Sequence, residues 1–133
     1  MTATAAHSPT LGLALLVALA GGVGAVARAL LIHHFSVRRP DPLPIGTVVV
    51  NASGSLVLGF LTGLSIYHGL APRFLSVVGI GLCGGYTTFS TASWESLHLM
   101  RTGQRRAAIV YTFGGLAACV GGAIAGLAMA AVI

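Results

Sequence analysis

Four long apolar stretches alternate with three short polar interruptions along the chain. The first stretch runs from about Leu11 to Ile32, the second from about Ile45 to Tyr67, the third from about Phe74 to Met100 and the fourth from about Ala107 to Ile133. A bilayer core about 30 Å thick is crossed by roughly 20 apolar residues in a helix, so each stretch predicts one transmembrane helix. The interruptions hold the turn-forming and charged residues: Arg38-Arg39-Pro40-Asp41-Pro42 with Pro44, then His68-Gly69 with Pro72-Arg73, then Arg101-Thr102-Gly103-Gln104-Arg105-Arg106. The pattern predicts an all-α membrane protein, with one four-helix domain over residues 1–133 and no water-soluble head.

Small residues recur within the stretches. Gly59/Gly63, Gly81/Gly85 and Gly122/Gly126 are GxxxG pairs, a spacing that lets helix backbones approach closely in lipid. Four such thin helices enclose little space, so a pathway for a solute calls for a second subunit.

The third stretch carries an anomaly. Gly84-Gly85-Tyr86-Thr87-Thr88-Phe89-Ser90-Thr91 puts two glycines and four Ser or Thr residues at mid-membrane depth. Glycine costs about 1 kcal/mol against alanine in a helix, and hydroxyls compete for the backbone ladder. This predicts a helix broken in mid-membrane, which is tolerated only where the irregular backbone is buried in protein or lines a wet cavity. A break frees carbonyls from one half-helix and N–H groups from the next, ligands for a cation and an anion respectively. An intact helix whose hydroxyls bond back onto it is the plainer alternative. Three further residues lie within the spans or near their ends. Asn51 offers amide donors within Gly46-Thr47-Val48-Val49-Val50-Asn51-Ala52-Ser53-Gly54-Ser55, facing either other helices or a pore. Arg28 and Glu95 are costly charges, read either as functional or as structural anchors.

Composition excludes several classes. Hydrophobic residues make up 56% and charged residues 7% of the 133, where a soluble domain carries about 25% charged residues. The net charge of +5 comes from seven arginines against Asp41 and Glu95. These charges are too scattered for a nucleic-acid face. They serve instead as topology signals: Arg38, Arg39, Arg101, Arg105 and Arg106 fall on one side and only Arg73 on the other. That bias predicts the first and third connectors in the cytoplasm and both termini outside. No Lys or Arg precedes Leu11, so the first stretch reads as a retained span, not a signal peptide. Cys83 and Cys119 form no CxxC pair and read as small packing residues.

Other signals carry no chemistry. Gly79-x-Gly81-x-x-Gly84 matches a dinucleotide fingerprint but lacks a strand–helix context. His33-His34 lacks metal-ligand spacing, and His7, His68 and His98 are isolated. Two acids and scattered histidines assemble no nucleophile, base and acid, so no enzyme is expected.

Three runs together carry a resemblance: Gly21-Gly22-Val23-Gly24-Ala25-Val26-Ala27-Arg28, then Gly46-Thr47 through Asn51 to Gly54, then Gly84 through Thr91 leading to Glu95. In order and spacing, over nearly the whole chain, the sequence resembles the CrcB/Fluc fluoride channel family. The resemblance implies a passive fluoride channel of the plasma membrane that lowers cytoplasmic fluoride. It implies an antiparallel dimer of the dual-topology type, with two pores and a structural sodium ion at the dimer interface. Sodium would be held by the carbonyls of Gly84 and Thr87. The fluoride path would involve Asn51, Phe89, Ser90, Thr91 and Tyr111. A small, strongly hydrated anion needs donors in place of water, which amide and hydroxyl groups supply, and aromatic ring edges are electropositive. A fixed sodium would add positive potential without gripping the anion as a lysine or arginine ring does.

The sequence departs from the family pattern at two places. The family commonly reads Phe-Ser-Thr-Phe-Ser where this chain has Phe89-Ser90-Thr91-Ala92-Ser93, so a second ring is missing. Gly115 and Cys119 stand where polar residues are expected in the fourth helix. With the one-sided arginines, these features favour a heterodimer with an oppositely oriented paralogue over a homodimer. Two rivals are a small proton-coupled multidrug exporter, which lacks the acid it needs in the first span, and a non-conducting subunit of a paired channel.

Overall fold

The computed structural model describes residues 10–38 and 43–133. Arg39 and Asp41, which enter the first connector, and His7 lie outside the described residues. We number the helices α1 (Leu11–Arg38), α2 (Ile45–His68), α3 (residues 72–86), α4 (Ser90–Arg101) and α5 (Arg105–Val132). The third span Pro72–Arg101 is therefore two helices, α3 and α4, meeting at residues 87–89. No strand occurs among the described residues. All four spans are long and apolar enough to cross a membrane. α1 and α5 have 28 residues each, about 42 Å at 1.5 Å per residue. Both exceed the hydrocarbon thickness, and α1 continues past the expected end at Ile32 to Arg38.

Two connectors use glycine where backbone geometry demands it. Gly69 closes α2 with φ 67°, its N–H donating to the Leu64 carbonyl, and Gly103 ends the turn after α4 with φ 81°. Both are left-handed positions that glycine adopts without steric cost.

Glycines organise the packing into two close pairs of helices. In the α2–α5 pair, Gly59 lies against the Ala123 backbone and Gly126 against the Leu56 carbonyl, while Gly122 meets Ala52 and Gly63 meets Ala130. A Cβ at any of these positions would overlap the facing helix. The α1–α3 pair is built the same way, with Gly85 against Gly21, Gly81 against Val17, and Gly24 against Leu82 and Tyr86. Close backbone approach of this kind supplies dispersion contact that lipid tails cannot better. α4 leaves the α1–α3 pair and packs on α5 instead. The two halves of the third span thus rest on different helices, with α2 between them.

α3 has a second irregularity. After a first turn at Pro72–Phe74 it widens into a π-helix over Leu75–Cys83 before one α-turn at Gly84–Tyr86. A π-helix has poorer packing along its axis and tends to occur at functional sites. Here Gly79 and Gly81 are buried within it, and Gly81 and Gly85 approach α1 closely.

Candidate functional site at the break in the third span

The break is a real departure from helical backbone. Thr87 is extended, with φ −83° and ψ 162°, and α4 starts at Ser90. Thr87 still donates its N–H and its hydroxyl to the Cys83 carbonyl, both at 2.9 Å. Thr88 donates its N–H to the Asn51 side chain, so the Gly84 carbonyl loses the donor that a continuous helix would supply. Gly84 is exposed, and open space surrounds the place where its Cβ would be.

Two side chains from two other spans hold the unwound turn. Asn51 grips Thr88 on both sides of one residue: its Nδ2 donates to the Thr88 carbonyl and its Oδ1 accepts the Thr88 N–H, each at 2.7 Å. Arg28 donates from Nη1 to the Thr87 carbonyl at 2.9 Å. Consecutive carbonyls freed by the break are therefore partnered by α2 and α1. Gly54, one turn beyond Val50, admits Thr87 and Tyr86 against α2, and the Tyr86 hydroxyl shares a 3.0 Å hydrogen bond with Ser53. Beside this joint runs an open cleft of about 320 Å³, with Asn51, Ser55, Cys83, Gly84 and Thr87 among its lining residues.

The far side of the break is capped from within. The Thr88 hydroxyl accepts the Thr91 N–H at 3.3 Å, as an N-terminal cap does, and donates to the Thr91 hydroxyl at 3.1 Å. Ser90 is exposed beside it, and the Phe89 ring projects from the joint with 86% of its surface open. Ala92 is half-buried at the next turn.

Glu95 lies one turn further along α4, at the centre of a network joining three spans. Thr47 donates to its Oε1 at 3.1 Å, and the Tyr111 hydroxyl donates to its Oε2 at 2.5 Å. Thr47 is 1% exposed and Tyr111 6%. A carboxylate at this depth is tolerable because both oxygens are hydrogen-bonded. Thr112 donates to Ser96 at 2.9 Å beside this network, a second polar link between α4 and α5.

The residues singled out in the sequence thus fall into three groups. Arg28, Asn51, Gly84 and Thr87 meet at the joint. Phe89, Ser90 and Thr91 open α4 just beyond it. Glu95, about one turn deeper in α4, is bonded to Tyr111 of α5. Thr47 and Thr88 were not singled out by sequence reasoning, although both stood within the runs that were. A signal for Thr47 was available: it precedes Asn51 by four residues, which places both on one face of α2. Thr88 gave none, because its role depends on an amide 37 residues away.

Comparison with known proteins bears on this arrangement. The family described as CrcB-like protein, Camphor Resistance (CrcB), matches residues 15–127. A protein of Leifsonia xyli subsp. xyli named fluoride-specific ion channel FluC 1 is 46% identical over 113 residues, covering 85% of this chain and 82% of the relative. One from Cutibacterium acnes named fluoride-specific ion channel FluC 2 is 44% identical over 114 residues, covering 85% and 93%. A third, from Nitrobacter winogradskyi, named fluoride-specific ion channel FluC, is 37% identical over 120 residues, covering 90% and 95%. The match includes α2, α3 and α4 whole and every residue of the joint, so the chain belongs to the CrcB-like family, a family of membrane channels and not of enzymes.

Proposed function

We propose that this protein is a fluoride-selective passive channel of the plasma membrane, exporting fluoride to lower its cytoplasmic concentration. The observation that carries the proposal is the joint itself: an unwound turn pinned by Arg28 and Asn51, followed directly by Phe89, Ser90 and Thr91 at the start of a new helix. The names of the relatives supply the ion.

The chemistry suits a small anion. Hydroxyls of Ser90 and Thr91 and the open N–H groups of the first turn of α4 replace part of its water. The edge of the Phe89 ring adds positive quadrupole density. Asn51 fixes the turn that presents these groups, and the remaining hydrogen of its Nδ2 stands beside the same path. Tyr111 and Glu95 belong to the polar wall that leads to it.

A structural sodium ion fits the same joint. The Gly84 carbonyl has no helical donor, and the Thr87 carbonyl keeps one lone pair beyond the one used by Arg28. These two oxygens would hold sodium, which supplies fixed positive charge near the anion path. Two oxygens do not complete the shell of an alkali cation. The exposed Gly84 face is therefore proposed to meet a second subunit in an antiparallel dimer, with this chain's own termini outside, as its arginine bias suggests, and the termini of the oppositely oriented subunit inside.

The second reading, an obligate heterodimer, is favoured by Ala92. A homodimer of this chain has no second ring on either copy, so an oppositely oriented paralogue is proposed to supply it.

The test is fluoride efflux from liposomes reconstituted with this chain alone. Fluoride release without chloride release, driven by the fluoride gradient only, is expected from a self-sufficient channel. Release only when the paralogue is added supports the heterodimer. Release that requires a proton gradient would sink the passive-channel reading.

A further inference from the structure

Arg28 is unusual in what balances it. Glu95 is the only acidic side chain among the described residues, and its two oxygens are bound by Thr47 and Tyr111. The guanidinium of Arg28 is met instead by a backbone carbonyl, that of Thr87. Its aim is set by helix packing. Gly24, one turn earlier, brings α1 against Leu82 and Tyr86 so closely that the next turn of α1 faces the joint.

The Thr87 carbonyl thus has two claimants, because the reading above gives it to sodium as well. This inference rests on that reading. A guanidinium and a metal cation drawn to one oxygen are like charges a few ångströms apart in a medium of low dielectric, where their repulsion is large. Arg28 and Thr87 are both half-buried, which limits the water that can screen them. No described side chain donates a hydrogen bond to the Gly84 carbonyl, whereas the Thr87 carbonyl is bonded to the charged group itself.

We propose that Arg28 sets the cation affinity of the break and holds it low: its guanidinium occupies the Thr87 carbonyl and opposes any cation that binds there. The side chain is a positioning residue that also carries a standing positive charge. When sodium is scarce, Arg28 keeps the joint in shape.

Substitution separates the two roles. Arg28→Gln keeps an N–H donor for the Thr87 carbonyl and removes the charge. Arg28→Lys keeps the charge. The purified full-length chain in detergent is melted across a sodium chloride series, with choline chloride holding the ionic strength constant. The sodium concentration for half-maximal stabilisation should fall at least about tenfold in Arg28→Gln, as removal of a close like charge requires, and stay within about threefold of the original in Arg28→Lys. An unchanged or raised midpoint in Arg28→Gln overturns the proposal, as does a melting temperature indifferent to sodium in both the original and the variant.

A measurement on the unmodified chain covers the case in which Arg28→Gln does not fold. In ¹⁵N-arginine spectra, the Arg28 side-chain signal, assigned by its loss in Arg28→Lys, should shift with sodium over the same range as the melting temperature. A signal that does not move overturns the proposal. Fluoride efflux without any sodium response would sink this inference and leave the channel standing. A sodium response without fluoride efflux would do the reverse.

Discussion

Asn51 and Thr88 form a two-point clasp, with the amide of one side chain matching both the N–H and the C=O of one residue at 2.7 Å each. It does for the unwound turn what a neighbouring strand does in a sheet. Asn51→Ala removes both partners at once. Each orphaned group costs about 1–3 kcal/mol, so the melting temperature should drop sharply and fluoride efflux with it. Asn51→Asp keeps an acceptor for the Thr88 N–H but loses the donor to its carbonyl. It should also be destabilised, and original stability in Asn51→Asp would show that the donor half of the clasp does not matter.

Gly84 and Gly85 are neighbours with opposite surroundings. A Cβ on Gly85 overlaps the Gly21 carbonyl, whereas one on Gly84 meets nothing within 4 Å. Gly85→Ala should push α1 from α3 at a cost of about 1–3 kcal/mol. Gly84→Ala should leave the fold of a single subunit as stable as before. If the Gly84 face is where two subunits meet, Gly84→Ala should weaken the dimer. Cross-linking yield in membranes, compared with melting temperature, separates the two effects.

Phe89 projects from the joint and packs little against its own chain. Phe89→Ala should therefore change stability by no more than about 0.5 kcal/mol, while fluoride efflux falls at least about tenfold if the ring edge faces the ion. Ala92→Phe restores the missing second ring. Efflux from the chain alone should rise in Ala92→Phe, and no change there would remove the reason for invoking a partner's ring.

Glu95, Thr47 and Tyr111 should behave as one unit. Tyr111→Phe removes a donor to a carboxylate, a loss of about 1.5–3 kcal/mol. In a Glu95→Ala background the same change should cost far less, because the acceptor is already gone. A double-mutant cycle on melting temperature reads this coupling, and full additivity would mean that the hydroxyl and carboxylate do not sustain each other.

Much of the architecture was readable in the sequence, for a physical reason. A span must be apolar for about 20 residues, and that constraint is local. The break was readable too, because Gly84-Gly85 and the following hydroxyls are poor helix formers wherever they stand. The π-helical widening over Leu75–Cys83 was not, since nothing in its apolar residues distinguishes i+4 from i+5 bonding. The site was legible as names but not as pairs. Arg28, Asn51 and Glu95 each stood out as polar groups in lipid, whereas Tyr111 entered only through the family resemblance. That Arg28 takes the Thr87 carbonyl, or that Tyr111 takes Glu95, depends on which helix faces which, and small-residue spacing narrows that choice without making it. Thr47 and Thr88 stayed hidden because hydroxyls in a membrane helix ordinarily bond back to their own turn, as Thr62 does to Leu58.

The division of the third span between two supports has a mechanical consequence. α3 leans on α1 and α4 on α5, and between them the chain has no continuous ladder of backbone bonds. A change in bilayer thickness is taken up by unbroken helices through tilt. Across the third span the same change acts on two bodies held together at residues 87–89 by Asn51 and Arg28. Hydrophobic mismatch is thus concentrated at the joint, which makes lipid chain length a variable that directly reaches the groups proposed to bind ions.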